Sequence, residues 1–216
     1  MLIDRDNPTS LLTESYRGLR TSLEYISVDK ELKVIVVTSS SPGEGKSTIS
    51  SNLAFILSQM EKKVLIIDAD LRKSKIHRIF KIHNDSGLTD ILIGKKRIKE
   101  SIQKVDENLD AITSGEKTPN PAEMLSSKAM EELLDILRKK YDYIIIDTPP
   151  IRNINDGVVL AAKADGAILV VRSGQTKEQD IIKGYRELEK VKANVLGTVL
   201  NAAEKKKDKY YYYYYE

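Results

Sequence analysis

A short glycine-containing segment near the start of the chain has the residue types that bind phosphate. Residues 40–47 read SSPGEGKS and lie between a β-branched run, KVIVVT, and a stretch of helical spacing. Gly43 and Gly45 allow successive backbone N–H groups to turn toward an anion, and the following helix adds the positive end of its dipole. Lys46 can contact the β- and γ-phosphates, and the Ser47 hydroxyl can bind Mg²⁺. The segment predicts a P-loop, although its first residue is Ser where the strict pattern has Gly.

Two acidic segments follow later apolar runs, at positions where strands are expected to end. VLIIDADLR carries Asp68 and Asp70, and YIIIDTPP carries Asp147. Ligands of an open α/β sheet bind at the carboxyl ends of its strands, so these carboxylates are expected to face the phosphates. Asp147 is placed as a Walker B aspartate is, holding Mg²⁺ directly or through water. One such aspartate alone would be better explained as a turn cap, but three beside a P-loop favour a nucleotide site.

The pattern of apolar segments predicts the fold that positions these residues. Val- and Ile-rich runs alternate with helical patterns, which is typical of βαβ units around a mostly parallel, buried sheet. We expect six strands, at residues 33–38, 63–68, 109–113, 143–147, 166–171 and 195–201. Helices are expected at 47–60, 127–139, 155–162 and 177–190, and in a segment that opens the chain, with Asn7 as its cap and Pro8 as its first residue. The fold class is α/β, a mostly parallel central sheet flanked by helices.

Composition narrows the range of functions. The chain has 216 residues, a length that suits one α/β domain. Its 35 basic and 32 acidic residues give a net charge of +3, too small to favour a nucleic-acid partner. The absence of cysteine excludes disulfides and thiolate metal sites. The N-terminus lacks the pattern of a secretory signal, and no apolar run is long enough to span a membrane. Membrane contact is therefore expected only through a partner.

Together these segments resemble a known family. SSPGEGKS, LIIDADLR and IIIDTPP are similar to the Walker A, Walker A′ and Walker B motifs of bacterial protein tyrosine kinases, which are P-loop enzymes that regulate capsule and exopolysaccharide assembly. PNPAEML, residues 119–125, matches the family's NPxELL segment, and a tyrosine cluster ends the chain. The resemblance covers nearly the whole chain. It implies a P-loop NTPase fold and an enzyme that transfers phosphate from ATP to protein tyrosine, with Mg²⁺.

The resemblance also implies the site residues. The catalytic set is Lys46, Asp68, Asp70, Arg72 and Asp147, in which Asp68 accepts the tyrosine proton. Arg72 would stabilise the transferred charge, and a surface ion pair is an equally good interpretation of it. Mg²⁺ would be held by Ser47, Asp70 and Asp147. ATP would be bound by Pro42, Gly43, Glu44, Gly45, Lys46, Ser47, Thr48 and Asn201, the last at the position of an adenine-contacting Asn in related P-loop ATPases.

The C-terminal segment, EKKKDKYYYYYYE, contains six of the eleven tyrosines. The expected phosphoacceptors are Tyr210, Tyr211, Tyr212, Tyr213, Tyr214 and Tyr215. The nine steps from Asn201 to Tyr210 span at most about 30 Å, enough to reach a neighbouring subunit's site. Each phosphate would add about −1.5 to −2 charges and turn this basic tail acidic. The competing interpretation is a solvated or engineered tail without function.

Glu14, Arg17 and Arg20 form the E-x-x-R-x-x-R pattern that mediates ring-like self-association in the family. On spacing alone they would be a solvated helix face carrying an ordinary ion pair. The resemblance implies a homo-oligomer, a transmembrane activator that acts through its cytoplasmic tail, a cognate tyrosine phosphatase and other protein substrates. It also implies a cytoplasmic location, peripheral at the inner face of the plasma membrane through the activator.

Three regions are expected: an N-terminal oligomerisation helix (1–30) that belongs to the same domain, the P-loop kinase domain (31–203), and a flexible tyrosine-cluster tail (204–216). The predicted function is autophosphorylation of the tail in trans, regulating capsule or exopolysaccharide synthesis and export. The alternative is a non-kinase ATPase switch of the cell-division and partition type that acts on a membrane partner. The loop of those ATPases has a signature lysine and a glycine where this chain has Ser41 and Pro42, which disfavours their mechanism.

Overall fold

A computed structural model describes residue 2 and residues 10–28, 31–152 and 154–203 of the chain. Within these ranges the strands are β1 (Val34–Ser39), β2 (Val64–Asp68), β3 (Gln103–Asp106), β4 (Leu109–Ile112), β5 (Tyr143–Asp147), β6 (Gly166–Arg172) and β7 (Val195–Asn201). The helices are α1 (Leu11–Ile26), α2 (Lys46–Ser58), α3 (Ile76–Phe80), α4 (Leu88–Leu92), α5 (Ile98–Ser101), α6 (Pro121–Ser126), α7 (Lys128–Arg138), α8 (Asp156–Lys163) and α9 (Glu178–Lys190). Among the described residues, no helix is both long and apolar enough to cross a membrane.

The seven strands form one sheet in the order β3-β4-β2-β5-β1-β6-β7. The pair β3 and β4 is antiparallel, and the other neighbouring pairs are parallel. The predicted α/β class is therefore confirmed. Strand β5 lies between β1 and β2 and runs parallel to both. The loops that leave these three strands therefore open at the same edge of the sheet, where α/β proteins bind their ligands.

The central strands are apolar throughout because helices cover both faces of the sheet. Alternate residues of β1 enter different cores: Val34 and Val36 pack on one side, while Ile35 and Val37 pack on the other. The first core includes the apolar face of α7, and the second includes the buried side chains of α1 and α2. This two-sided burial fixes the register of β1 and thus the position of the loop that follows it.

All six predicted strands are present within one residue of the expected bounds, and one further strand was not predicted. Strand β3 reads QKVD and lies half exposed at the edge of the sheet, so it lacks the apolar pattern of the others. The expected start of the first helix is also wrong. Helix α1 begins at Leu11, after Ser10, whose side chain caps it by accepting a hydrogen bond from Thr13 N at 3.1 Å. Asn7 and Pro8 lie outside the described residues.

Candidate active site

The predicted phosphate-binding loop connects β1 to the N-terminus of α2. Gly43 and Gly45 have φ angles of 83° and 94°, a region that residues with side chains rarely adopt. Helix α2 starts at Lys46 and runs for 13 residues, so its free N–H groups open toward the loop. Ser47 and Thr48 occupy the first turn of this helix. The loop therefore has the conformation and the dipole that a phosphate site needs.

Asn201, the last residue of β7, lies directly against this loop. Its Nδ2 donates to the backbone oxygen of Glu44 at 2.9 Å. A Cβ atom added to Gly45 would lie 2.0 Å from the same nitrogen, so only glycine fits at this point. Asn201, which the sequence predicts to contact adenine, thus contacts the loop backbone. The sequence did not indicate this second contact.

Lys46 is nearly enclosed, with 7% of its surface exposed. Burial lowers the pKa of its ammonium group, while the negative charges of Asp147 and Asp70 act in the opposite direction. Lys46 of the P-loop therefore lies close enough to Asp147 and Asp70 for their charges to act on it. This is the convergence expected from the strand ends.

Asp68 and Asp147 are paired residues on the adjacent strands β2 and β5. Neither has exposed surface. Burial raises the pKa of both carboxyl groups, and the charge of Asp147 raises that of Asp68 further. Asp147 Oδ1 accepts a hydrogen bond from the Ser50 hydroxyl at 3.0 Å, whereas its buried Oδ2 has no hydrogen-bond partner among the described residues. An unpaired buried carboxylate oxygen is costly, and a cation beside it would remove that cost.

The two aspartates of the segment after β2 differ in accessibility. Asp68 Oδ2 accepts hydrogen bonds from Lys75 N and Ile76 N, each at 3.0 Å, and thereby shapes the turn that leads into α3. Asp70 is partly exposed and accepts from Lys73 N at 2.9 Å. Of the two carboxylates, Asp70 is therefore the one that a ligand can reach without movement of this turn.

The residues present suit Mg²⁺ bound together with a nucleotide. Within the described ranges, no group of three or more His, Asp or Glu side chains converges to hold a metal by itself. Mg²⁺ typically takes one or two carboxylates and fills its other positions with water and phosphate oxygens. Two groups fit that requirement: the unpaired Oδ2 of Asp147 and the neighbouring Ser47 hydroxyl. The interaction of Ser47 with Asp147 partly offsets the rise that burial causes in the pKa of that carboxyl.

Arg72 pairs with a residue that sequence reasoning missed. Its Nε lies 3.1 Å from Oδ2 of Asp156, which has no exposed surface. The ion pair that the sequence left open for Arg72 is thus present, but its acidic partner is buried. An acidic residue at the start of a predicted helix, just after the Walker B segment, was the available signal for Asp156.

The remaining predicted residues lie on α1 or outside the described ranges. Glu14 and Arg17 form an ion pair within α1, and Arg20 is partly exposed on the same helix. Helix α1 is fastened to the P-loop helix by a hydrogen bond of 3.1 Å between Asn52 Nδ2 and the buried Tyr16 hydroxyl. The acceptor tyrosines, Tyr210 to Tyr215, lie outside the described residues.

Comparison with known proteins identifies the relatives of this chain. Residues 32–200 match the family model of an AAA domain. Tyrosine-protein kinase YwqD of Bacillus subtilis (strain 168) is 44% identical over 201 residues, which make up 93% of this chain and 85% of that protein. Tyrosine-protein kinase etk of Escherichia coli (strain K12) is 35% identical over 93% of this chain, which spans 28% of the length of that protein.

Two solved structures have folds similar to that of this chain. The crystal structure of the chimerical protein CapA2B2 superposes with a TM-score of 0.91 and 37% identity, covering 94% of this chain and 90% of the other. The septum site-determining protein MinD complexed with Mg-ADP, from Pyrococcus horikoshii OT3, gives a TM-score of 0.67 and 26% identity, covering 78% of this chain and 69% of the other. The likeness to this septum site-determining protein is thus weaker than the likeness to CapA2B2.

Proposed function

Because the chain belongs to the bacterial tyrosine-protein kinases, which carry a P-loop AAA domain, we propose that it phosphorylates its own C-terminal tyrosine cluster. One observation carries this proposal: Asn201 ends the last strand and contacts the phosphate loop. The segment that leads to Tyr210 therefore starts beside the nucleotide site. A kinase that modifies this tail has its acceptors tethered at high local concentration to an active site.

The conformation of the loop supports an assignment of the groups that bind ATP. The loop amides and Lys46 would hold the β- and γ-phosphates. Mg²⁺ would be held by Ser47, and by Asp70 and Asp147 directly or through water. When bound, Mg²⁺ neutralises the phosphate charge and orients the γ-phosphate. Burial of Lys46 and Asp147 strengthens these electrostatic contacts, because little water screens them.

Phosphoryl transfer replaces one P–O bond by another. The tyrosine oxygen bonds to the γ-phosphorus while the bond from that phosphorus to the β,γ-bridging oxygen breaks, and ADP leaves. The tyrosine proton passes to the ionised form of Asp68. Burial and the charge of Asp147 raise the pKa of this carboxyl to about 8, so the ionised form is a stronger base than an exposed aspartate and becomes more abundant as the pH rises toward that value. Since Asp68 has no exposed surface, the hydroxyl reaches it only if the turn at residues 70–76 moves. Arg72, on that turn, stabilises the transferred charge.

A cavity beside the phosphate loop is suited to the acceptor side chain. Its volume is about 290 Å³, and it lies between the loop and the segment that follows β5. Pro42, Pro150 and Ile154 give it apolar walls for an aromatic ring. Arg152 lines it as well, held by an ion pair of 3.3 Å to Asp180. We propose that an aromatic ring of the tail docks here, with the Arg152 guanidinium near its hydroxyl or phosphate.

The wider biological role completes the proposal. Glu14, Arg17 and Arg20 on α1 contact a neighbouring subunit in a ring-like homo-oligomer, so that one subunit phosphorylates the tail of the next. Residues 1–30 act as the oligomerisation element, 31–203 as the kinase domain and 204–216 as the tail. A membrane activator, acting through its cytoplasmic tail, recruits the kinase to the inner face of the membrane. A cognate phosphatase resets the tail, and the cycle regulates capsule or exopolysaccharide synthesis and export.

Transfer between subunits is tested with two complementary variants. One chain carries Lys46→Met and keeps its tail, and the other is active but lacks residues 210–215. Neither is expected to phosphorylate itself, whereas their mixture with Mg-ATP should place phosphate on the Lys46→Met chain. The wild-type chain is incubated in a separate sample. Phosphate on its tail, together with no phosphate on the Lys46→Met chain of the mixture, would show transfer within one subunit. Steady ADP release without phosphotyrosine in either sample would favour the ATPase switch.

A further inference from the structure

The side chain of Glu44 is buried within the phosphate loop, with 1% of its surface exposed. Its Oε2 accepts a hydrogen bond from Ser41 N at 2.8 Å, so it closes the loop on itself. Its Oε1 accepts a hydrogen bond from the Thr176 hydroxyl, which belongs to the connection between β6 and α9. A buried carboxylate is tolerated when its oxygens are paired in this way. The shape of the loop therefore depends on a residue about 130 positions away in the chain.

Thr176 is itself fixed by the end of β6. Its Oγ1 accepts from Arg172 N at 2.9 Å, and its own N–H donates to Arg172 O at 3.0 Å. A hydroxyl has one proton, so Thr176 donates that proton to Glu44 while it accepts from Arg172. An ordered chain of hydrogen bonds thus runs from β6 through Thr176 and Glu44 to the backbone of Ser41.

Two further contacts turn the carbonyl groups of the loop away from the phosphate position. Arg172 Nη1 donates to Gly43 O at 3.0 Å, and Asn201 Nδ2 donates to Glu44 O at 2.9 Å. A phosphate-binding nest requires successive N–H groups on one side and the carbonyl oxygens on the other. The contacts from β6 and β7 impose that orientation on two consecutive peptide groups.

We propose that Thr176 and Arg172 are positioning residues of the nucleotide site, holding the phosphate loop in its anion-binding conformation through Glu44 and Gly43. This role deepens the proposed function in its nucleotide-binding part and does not depend on tail phosphorylation. The contacts shape the backbone of the phosphate loop, so they should affect the binding of the phosphates that ATP and ADP share.

The test is the affinity of the full-length chain for Mg-ADP, measured by calorimetry. Thr176→Val leaves Glu44 Oε1 buried and unpaired, and the affinity should fall about tenfold. Thr176→Ser keeps the hydroxyl and should bind within about twofold of the wild type. Thr198→Val, at an exposed threonine of β7, is the matched control and should leave the affinity unchanged. Arg172→Gln, an exposed position that folding tolerates, should weaken binding about threefold to fivefold.

The melting temperature separates positioning from general stability. We expect Thr176→Ser and Arg172→Gln to melt as the wild type does, so that the loss of affinity in Arg172→Gln is not a loss of fold. Unchanged affinity in both Thr176→Val and Arg172→Gln would overturn the proposal, as would an equal loss in Thr176→Ser and Thr176→Val. Because ADP binding needs no acceptor, tail phosphorylation can fail while this result stands, and the reverse is also true.

Discussion

Arg72 Nε lies 3.1 Å from Asp156 Oδ2, an ion pair that joins the segment after β2 to the first residue of α8. The arginine side chain is 44% exposed, whereas the aspartate is 1% exposed and its Oδ1 has no hydrogen-bond partner among the described residues. Among the described residues, Arg72 is thus the one cation that pairs with the buried carboxylate of Asp156. The pair also ties the segment after β2 to the start of α8.

Removing Arg72 should therefore destabilise the protein as well as slow the kinase. Arg72→Gln leaves Asp156 buried without its cation, and we expect the free energy of unfolding to fall by about 2 to 3 kcal/mol. Adding Asp156→Asn should recover part of this loss, as urea denaturation of the double-mutant cycle would show. Arg17→Gln, which breaks the exposed pair with Glu14, is the control and should cost about 0.5 kcal/mol or less. Equal costs at the two arginines would mean that Asp156 does not need Arg72.

Substituting Gly45 should weaken nucleotide binding strongly. Gly45→Ala places a methyl group 2.0 Å from Asn201 Nδ2 and requires alanine at a φ of 94°. The resulting loop shift should lower the affinity for Mg-ADP by about 100-fold. Gly18→Ala on α1, where nothing lies within 4 Å of the added carbon, should leave binding intact and stabilise the helix by about 0.5 to 1 kcal/mol. Calorimetry on both variants measures this, and tight binding by Gly45→Ala would be inconsistent with the described loop.

Neutralising Asp147 should stabilise the fold while it removes activity. Burial raises the pKa of Asp147, so between about pH 4 and that raised value the folded protein holds a proton that the unfolded chain releases. Wild-type stability therefore falls as the pH rises through this window, and Asp147→Asn avoids the loss. Its free energy of unfolding should exceed that of the wild type by about 1 to 2 kcal/mol at pH 8.

This advantage should shrink at pH 5, where the folded protein keeps the proton. Asp135→Asn, at an exposed position of α7, serves as the control and should show no such pH dependence. Urea denaturation at the two pH values measures both variants. A variant less stable than the wild type at pH 8 would contradict the unfavourable burial of Asp147.

The effect of Asp165 on stability should depend on pH with the opposite sign. Burial alone would raise its pKa, but hydrogen bonds from Arg138, Val34 N and Lys33 N outweigh burial and lower it. A lowered pKa contributes stability above about pH 4 that is lost as the pH falls through the folded value. Asp165→Asn should cost about 1 kcal/mol at pH 7, and this cost should vanish in acid. Denaturation of this variant beside Asp135→Asn, at an exposed position of α7, tests the sign; a cost that grows in acid would contradict it.

The sequence predicted those parts of the site that depend on local patterns. Strands β1, β2 and β5 were predictable because burial on both faces makes them continuous apolar runs, and their ends then locate Lys46, Asp68 and Asp147. Strand β3 was not predictable, because its edge position allows polar residues. The support from Thr176 was equally hidden, and the position of Asp156 at a helix start did not indicate its partner, since both residues act through packing between segments that are distant in the chain.

The central claim is tested most directly by the intact mass of the purified chain before and after incubation with Mg-ATP and the cytoplasmic tail of the proposed membrane activator. The account predicts stepwise gains of one phosphate each, up to the six tyrosines of the cluster. These gains should be absent in Lys46→Met and in a chain lacking residues 210–215. A mass that stays constant while ADP accumulates would contradict tail-directed tyrosine kinase activity.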